Sequence, residues 1–453
     1  MVLLICLALI TSIGISVLSS SLSVGISLFL FMIFGNQLSH YFSARNRKET
    51  RDLLLVFYSV YTVYILFSIV AYLDFLQLGD FFLFPDQNDY YRVGSVLGES
   101  NSITQIFYEC FVQRIHYEGE GAYFFFGTIA YVANNYFDGN SILLQSLHVS
   151  FLAIIINIFV YKILVFHTSR DKAFKSSLIF AFFSPLFFYS PWILRDIHIT
   201  LLYAIGIYLM HTRFSIKRLL LYIPLIVITL EFRLESGVFF LVLPLFYLYF
   251  RGRKYRYFRE LFTGLLVVGL IFIGVIINFL SSSLESTLAS FQSYSSYTED
   301  NLGDGLGALL YKLPVGLKQL AITLFSQISP FPPWGKFLES TTIYEMVISL
   351  VRFCGAVYWS CIFLFLCLSL TMKDIRNRIN KENLALFLIL FTFLLGNSSE
   401  MNIRRILCVY PLIFILYVNI KEMIEMKKRV FISNMAIMIY SLLAVTYFAI
   451  KYL

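Results

Sequence analysis

Charged residues are sparse in this 453-residue chain, and those suited to chemistry sit between long apolar runs. Asp86 and Asp89 stand three apart in Phe84-Pro85-Asp86-Gln87-Asn88-Asp89-Tyr90-Tyr91-Arg92. A helix that starts after Pro85 puts both carboxylates on one face, with Tyr90 and Arg92 within reach. At the lip of an apolar cavity, desolvation raises a carboxylate's pKa and a nearby Arg lowers it, and such a group can take the proton of an attacking hydroxyl. Ordinary helix capping accounts for the same residues, since Asp and Asn are favoured there.

Three further groups stand out. Ser190-Pro191-Trp192-Ile193-Leu194-Arg195-Asp196 places a guanidinium suited to phosphate oxygens next to a carboxylate, with His198 following. Pairing with a neighbouring acid, or snorkelling to headgroups, also accounts for Arg195. In Glu231-Phe232-Arg233-Leu234-Glu235-Ser236-Gly237, charges interrupt two apolar runs. Arg233 then has Glu231 or Glu235 as an internal partner, or an external phosphate. Asn397-Ser398-Ser399-Glu400-Met401-Asn402-Ile403-Arg404-Arg405 puts two arginines where the topology argued below disfavours cations, unless a pair of spans is misassigned.

The elements that must position these residues are membrane spans. The chain is 59% hydrophobic and 14% charged with a mean hydropathy of +0.77, whereas soluble domains run to roughly a quarter charged. The net charge of +8 is spread over short loops: Arg45 to Arg51, Arg170 to Lys175, Arg251 to Arg259 and Lys427 to Arg429. The positive-inside rule explains that distribution without nucleic acid. The six cysteines show neither metal spacing nor a disulfide framework, and no metal is expected. The first apolar run lacks a basic n-region and a cleavage site, so it reads as a retained anchor.

With every strongly basic loop in the cytoplasm, parity demands an even number of crossings between successive loops. Tyr123 to Phe137 is short and carries Asn134 and Asn135, so it reads as a helix in the outer interface or a re-entrant segment. About thirteen spans remain, in one integral membrane domain over residues 1–453. The N-terminus is cytoplasmic, and residues 74–140 and 282–342 face outward. The latter holds Ser293-Tyr294-Ser295-Ser296-Tyr297 and Pro330-Phe331-Pro332-Pro333-Trp334, which suit an interfacial anchor. Polar intrusions well inside spans are Asn157, Lys162 and Arg352. A transporter predicts broken helices and mid-span polar groups, whereas most of the charges here fall at span ends.

The Asp-x-x-Asp-Tyr pattern of Asp86, Asp89 and Tyr90 resembles the acidic first outer loop of GT-C membrane glycosyltransferases, which use polyprenyl-linked sugars. Phe183 to Asp196, Pro330 to Trp334 and Arg404 to Pro411 look similar too. A Phe-, Tyr- and Ile-rich chain of this length and span count also resembles the O-antigen polymerases (Wzy) of bacterial surface-polysaccharide assembly. The sequence departs from the GT-C pattern in having two spans, not one, ahead of the span that leads into the acidic loop.

The resemblance implies an all-helical, GT-C-like inner-membrane glycosyltransferase acting on the periplasmic face. It would extend lipid-linked repeats by moving a glycan from polyprenyl diphosphate to a lipid-linked acceptor sugar. Asp86 or Asp89 would be the catalytic carboxylate and Arg195, Arg233, Arg404 and Arg405 would hold phosphates, supported by Tyr90, Arg92, Asp196 and Glu235. No cofactor is expected. Partners would be the polyprenyl-linked oligosaccharide, membrane lipid and, for a polymerase, a chain-length regulator protein. The alternatives are transfer of one sugar from a polyprenyl monophosphate and flipping of a lipid-linked oligosaccharide.

Overall fold

The computed structural model describes residues 2–43, 46–79, 85–114, 119–267, 269–271, 310, 312–314, 317–328, 330–396 and 403–452. The serine- and tyrosine-rich stretch at 281–297 and residues 397–402 lie outside them. The described residues are helical, with no strand among them.

In chain order the helices are α1 (Val2–Ser19), α2 (Leu22–Phe42), α3 (Arg47–Leu78), α4 (Pro85–Leu97), α5 (Ile103–Phe107), α6 (Glu120–Tyr136), α7 (Ile142–Val165), α8 (Arg170–Phe183), α9 (Pro185–Tyr189) and α10 (Asp196–His211). They continue as α11 (Ile216–Leu220), α12 (Tyr222–Phe232), α13 (Leu234–Phe240), α14 (Val242–Arg251), α15 (Leu317–Ser326), α16 (Gly335–Leu338) and α17 (Ile343–Thr371). The last are α18 (Lys373–Arg376), α19 (Lys381–Gly396), α20 (Tyr410–Met423) and α21 (Met426–Tyr452).

Seven segments among the described residues are long and apolar enough to cross a membrane: Leu22–Phe42, Arg47–Leu78, Ile142–Val165, Leu234–Arg251, Ile343–Thr371, Arg404–Met423 and Met426–Ala449. Ala8–Ser19 and Asp196–His211 are shorter apolar helices. This is a multi-pass helical membrane protein. The apolar run over 176–192 divides into α8 and α9, because Pro185 lacks an N–H and drives Ser184 to extended backbone (φ −84°, ψ 156°). The span expected to end at residue 73 continues to Leu78, so Asp74 lies inside α3 and is buried.

Two compact units form: residues 1–208, 227–237 and 334–358, and residues 209–226, 238–333 and 359–453. In the first, α7 is buried along almost its whole length and packs against α2, α3 and α8. Buried hydrogen bonds lace these spans, as they must where no water competes. Tyr64 Oη donates to Ala181 O at 2.8 Å, Asn157 Nδ2 donates to Tyr64 Oη at 3.2 Å, and Ser68 and Ser150 hydroxyls lie 2.7 Å apart.

The two ends of this unit differ. At one, Lys162 pairs with Glu49, and Arg170 Nε lies 2.6 Å from Asp52 Oδ2, so the basic loops around 47–51 and 170–175 share an end. At the other, Asp138 receives the backbone N–H groups of Leu22 and Ser23 at 2.5 and 2.7 Å, fastening the turn after α6 to the start of α2. A capping box opens α17 there: Glu345 N donates to Thr342 Oγ1 at 3.0 Å, and Glu345 accepts from Thr342 N at 3.2 Å.

The Tyr123 to Phe137 run forms most of α6, which is not among the seven candidate spans and packs on α4. The contact is close because it is built on glycines: a Cβ at Gly98 would meet Ala130 Cβ at 2.5 Å, and one at Gly127 would meet Leu97 Cβ at 2.8 Å.

In the second unit, residues 406–420 are buried without a break. Trp359 lies over Tyr410 with ring centroids 4.2 Å apart, and Arg251 Nη2 reaches Glu382 Oε1 at 2.6 Å.

Candidate functional site

The non-basic end of the first unit gathers the acids and arginines of the first three sequence groups. Helix α4 begins at Pro85, as its sequence predicts, with Asp86 half-buried in the first turn and Asp89 exposed one turn on. Gln87 turns inward, and its Oε1 accepts from Ile193 N at 3.1 Å. That bond ties the acidic helix to the segment that delivers Arg195.

Arg195 is half-buried, and its Nη1 donates to Phe232 O at 3.1 Å. Gly119 makes room for it: φ there is +86°, and a Cβ would stand 2.6 Å from Arg195 Nη1. Arg233 lies in the break between α12 and α13 and reaches Asp196, with Nη2 2.6 Å from Oδ1 and side chains only 5% and 2% exposed. Its ion-pair partner is thus neither Glu231 nor Glu235. Glu231 pairs instead with Arg114 at 3.1 Å, and Glu235 is exposed on α13. Residues two apart on a helical path diverge around the axis, whereas Asp196 comes in from another helix.

Two phenols connect acids and guanidiniums. Tyr90 is 6% exposed, with its ring centroid 5.2 Å from that of Tyr123. Burial pushes the Tyr90 hydroxyl up to about 12, with Arg195 and Arg233 opposing and Asp196 and Tyr123 adding to the rise. The Tyr123 hydroxyl is also raised, first by burial and then by Asp89, with Arg195 opposing and Glu120 and Asp86 adding. Both phenols therefore feel Arg195, and through Tyr123 the two aspartates share its field. Both stay protonated at neutral pH and available as hydrogen-bond donors.

Behind this group, the His198 ring stacks on Phe232 (5.0 Å, 19°) and meets Phe125 edge-on at 4.2 Å. A small cavity beside it is lined by Asp74, Gln87, Ser146 and Trp192. Arg92 is exposed on α4. Arg404 and Arg405 are half-buried in the 3₁₀ turn Ile403–Val409 and belong to the second unit. Asn397 to Asn402, which precede them, lie outside the described residues.

Sequence reasoning missed Tyr123, Glu120, Arg114 and Asp74. Tyr123 hides in the aromatic run Tyr123-Phe124-Phe125-Phe126, and Asp74 stands at what looked like a span end. Gln87 lay inside the acidic motif, and its spacing from Pro85 already places it a third of a turn away from Asp86. Among the described residues no group of three or more His, Cys, Asp or Glu is arranged to hold a metal ion.

The arrangement offers carboxylates open to solvent, protonated phenols and one half-buried guanidinium, braced from behind by a buried ion pair. It can accept a proton from a hydroxyl and donate hydrogen bonds to an anion. Comparison with protein-family models, with curated proteins and with solved structures gives no match for this chain.

Proposed function

We propose that this chain is an inner-membrane glycosyltransferase of bacterial surface-polysaccharide assembly that extends lipid-linked repeats on the periplasmic face. The observation carrying the reading is that the helix bearing Asp86 and Asp89 is tied to the segment bearing Arg195, Ile193 N donating to Gln87 Oε1 at 3.1 Å, at the end of the first unit opposite its basic loops. That pairing of base and anion holder is what glycosyl transfer from a diphosphate requires. The proposed topology has about thirteen spans, the shorter apolar helices crossing with help from their charged flanks.

In the proposed reaction an acceptor sugar hydroxyl attacks the anomeric carbon of the donor glycan. The bond from that carbon to the diphosphate oxygen breaks, and the lipid diphosphate leaves with the electron pair. Asp89, the more open carboxylate, takes the hydroxyl proton while Asp86 orients the acceptor. Arg195 and the Tyr90 and Tyr123 hydroxyls stabilise charge building on the leaving diphosphate. Arg233, held by Asp196, fixes the floor behind Arg195.

Purified protein supplied with lipid-linked repeats and no nucleotide sugar should produce a ladder of longer glycans. Asp89→Asn should slow it by about 10²- to 10⁴-fold, the range for loss of a general base. Addition of one sugar without a ladder would assign the monophosphate-donor reaction. Translocation with no new glycosidic bond would replace the enzyme with a flippase.

A further inference from the structure

Of Asn157, Lys162 and Arg352, two are partnered within the protein. Asn157 bonds Tyr64 and Ala153, and Lys162 bonds Glu49 and the carbonyl of Phe42. Arg352 differs. Among the described residues its guanidinium has no carboxylate and no hydrogen-bond acceptor; it lies against the face of Phe188, 5.6 Å from Cζ to centroid, with the Tyr189 phenol also acting on its charge. A π face offsets only part of the desolvation of such a charge, and an ionisable group inside a span calls for a named partner.

The depth of Arg352 can be read along α17. The nineteen residues Phe353–Thr371 carry no charge. At 1.5 Å per residue they extend about 28 Å, close to the roughly 30 Å of hydrocarbon in a bilayer. Lys373, Arg376 and Arg378 follow at the far end. If those nineteen residues fill the apolar layer, Arg352 stands at its opposite boundary, at the depth of lipid phosphates, on the end that carries Glu345.

A second observation lies beside it. Gly355, one turn along, faces the break between α8 and α9: a Cβ there would be 3.8 Å from the carbonyl oxygens of Phe183 and Ser184. Ser184 is 2% exposed, and its Oγ has no hydrogen-bond partner. A buried hydroxyl without a partner is as unusual as an unpaired guanidinium. The α8–α9 break thus packs on α17 one turn from Arg352.

We propose that Arg352 binds the phosphate of a phosphate-bearing lipid at the boundary of the apolar layer. The guanidinium presents a planar fork that matches two phosphate oxygens. The phosphate belongs to a polyprenyl phosphate or to a bulk anionic phospholipid, and the test separates the two. The inference stands on α17 and the α8–α9 break; it shares only the substrate class with the function proposed above.

The full chain is reconstituted in phosphatidylcholine nanodiscs, and the retention of added polyprenyl monophosphate or phosphatidylglycerol is titrated by native mass spectrometry. The wild type should retain polyprenyl phosphate at least tenfold better than Arg352→Gln. Retention of both lipids through Arg352 would assign the site to lipid phosphates generally, and retention of the polyprenyl lipid alone would assign it to the substrate carrier. Equal retention of both lipids by wild type and Arg352→Gln overturns the proposal. If Arg352→Gln does not fold, Arg352→Lys decides: it keeps the charge and loses the fork, so at least threefold weaker binding upholds the proposal and unchanged binding overturns it. Arg352-dependent binding in a protein that extends no glycan would sink the proposed reaction and leave this site standing.

Discussion

Arg233 Nη2 stands 2.6 Å from Asp196 Oδ1, joining the break between α12 and α13 to the first turn of α10 across 37 positions of sequence. Both side chains are almost completely buried, so neither charge has bulk water to fall back on. Arg233→Met strands the Asp196 carboxylate and should lower stability by about 3–5 kcal/mol, while a double Arg233→Met/Asp196→Leu variant should recover much of that loss. Thermal unfolding of the purified variants in one detergent provides the comparison. Equal melting temperatures for wild type and the single variant would show that the pair carries no such weight.

Gly119 and Arg195 make a narrower test of positioning. At φ +86° with Arg195 Nη1 2.6 Å from a would-be Cβ, Gly119→Ala strains the backbone and pushes the guanidinium aside. Glycan extension should fall at least tenfold, with the melting temperature changing far less than in Arg233→Met. Full activity in Gly119→Ala would mean that the position of Arg195 does not matter to turnover.

The α4–α6 contact predicts a contrast between glycines. Gly98→Val drives the new side chain into Ala130 Cβ and the backbone behind it and should cost about 1–3 kcal/mol by overpacking. Gly14, whose Cβ would meet nothing within 4 Å, should accept Ala with no loss of stability. Urea or thermal denaturation of the two variants side by side would read the difference, and a Gly98→Val protein as stable as wild type would contradict the close approach.

Alkaline titration should reveal the buried phenol. In the unfolded chain Tyr90 ionises near 10.0, and in the folded protein burial moves it up to about 12. Between those values the unfolded state holds fewer protons, so its contribution to stability is intact below pH 10 and is lost as pH rises toward 12. Tyrosinate absorbance should show a late component that Tyr90→Phe removes. A spectrum unchanged by that substitution would place the hydroxyl in water.

Asp138 should respond at the acid end. Burial tends to raise its pKa, but the N–H groups of Ser23 and Leu22 outweigh that and hold it below the usual carboxylate value. Its contribution is present at neutral pH and is lost as pH falls below the ordinary range for aspartate; because the residue is exposed, the effect is small. Comparing the acid unfolding of wild type and Asp138→Asn would check this, the expectation being that the two curves converge at low pH.

Local features of the site were legible from sequence, and its pairings were not. Pro85 and the acids after it specify where α4 starts, and Asn134, Asn135 and the Asp138-Gly139-Asn140 turn mark α6 as unlike its apolar neighbours. The Arg233–Asp196 pair depends on how separate helices pack, and nearness in sequence pointed to Glu231 and Glu235 instead. At residues 176–192 one proline turns a hydrophobic run into two helices, a break that apolarity alone does not show.

The first compact unit draws on three separated stretches, the last ending at residue 358. Its biogenesis is therefore out of step with its linear order. A nascent chain that has released residues 1–208 already exposes Asp196 but not yet the arginine that neutralises it, and the ribosome must make about 150 further residues before the final stretch is available to dock. The growing protein carries Asp196 unmatched until Arg233 follows it 37 positions later, and it keeps the face that takes the 334–358 stretch open for far longer.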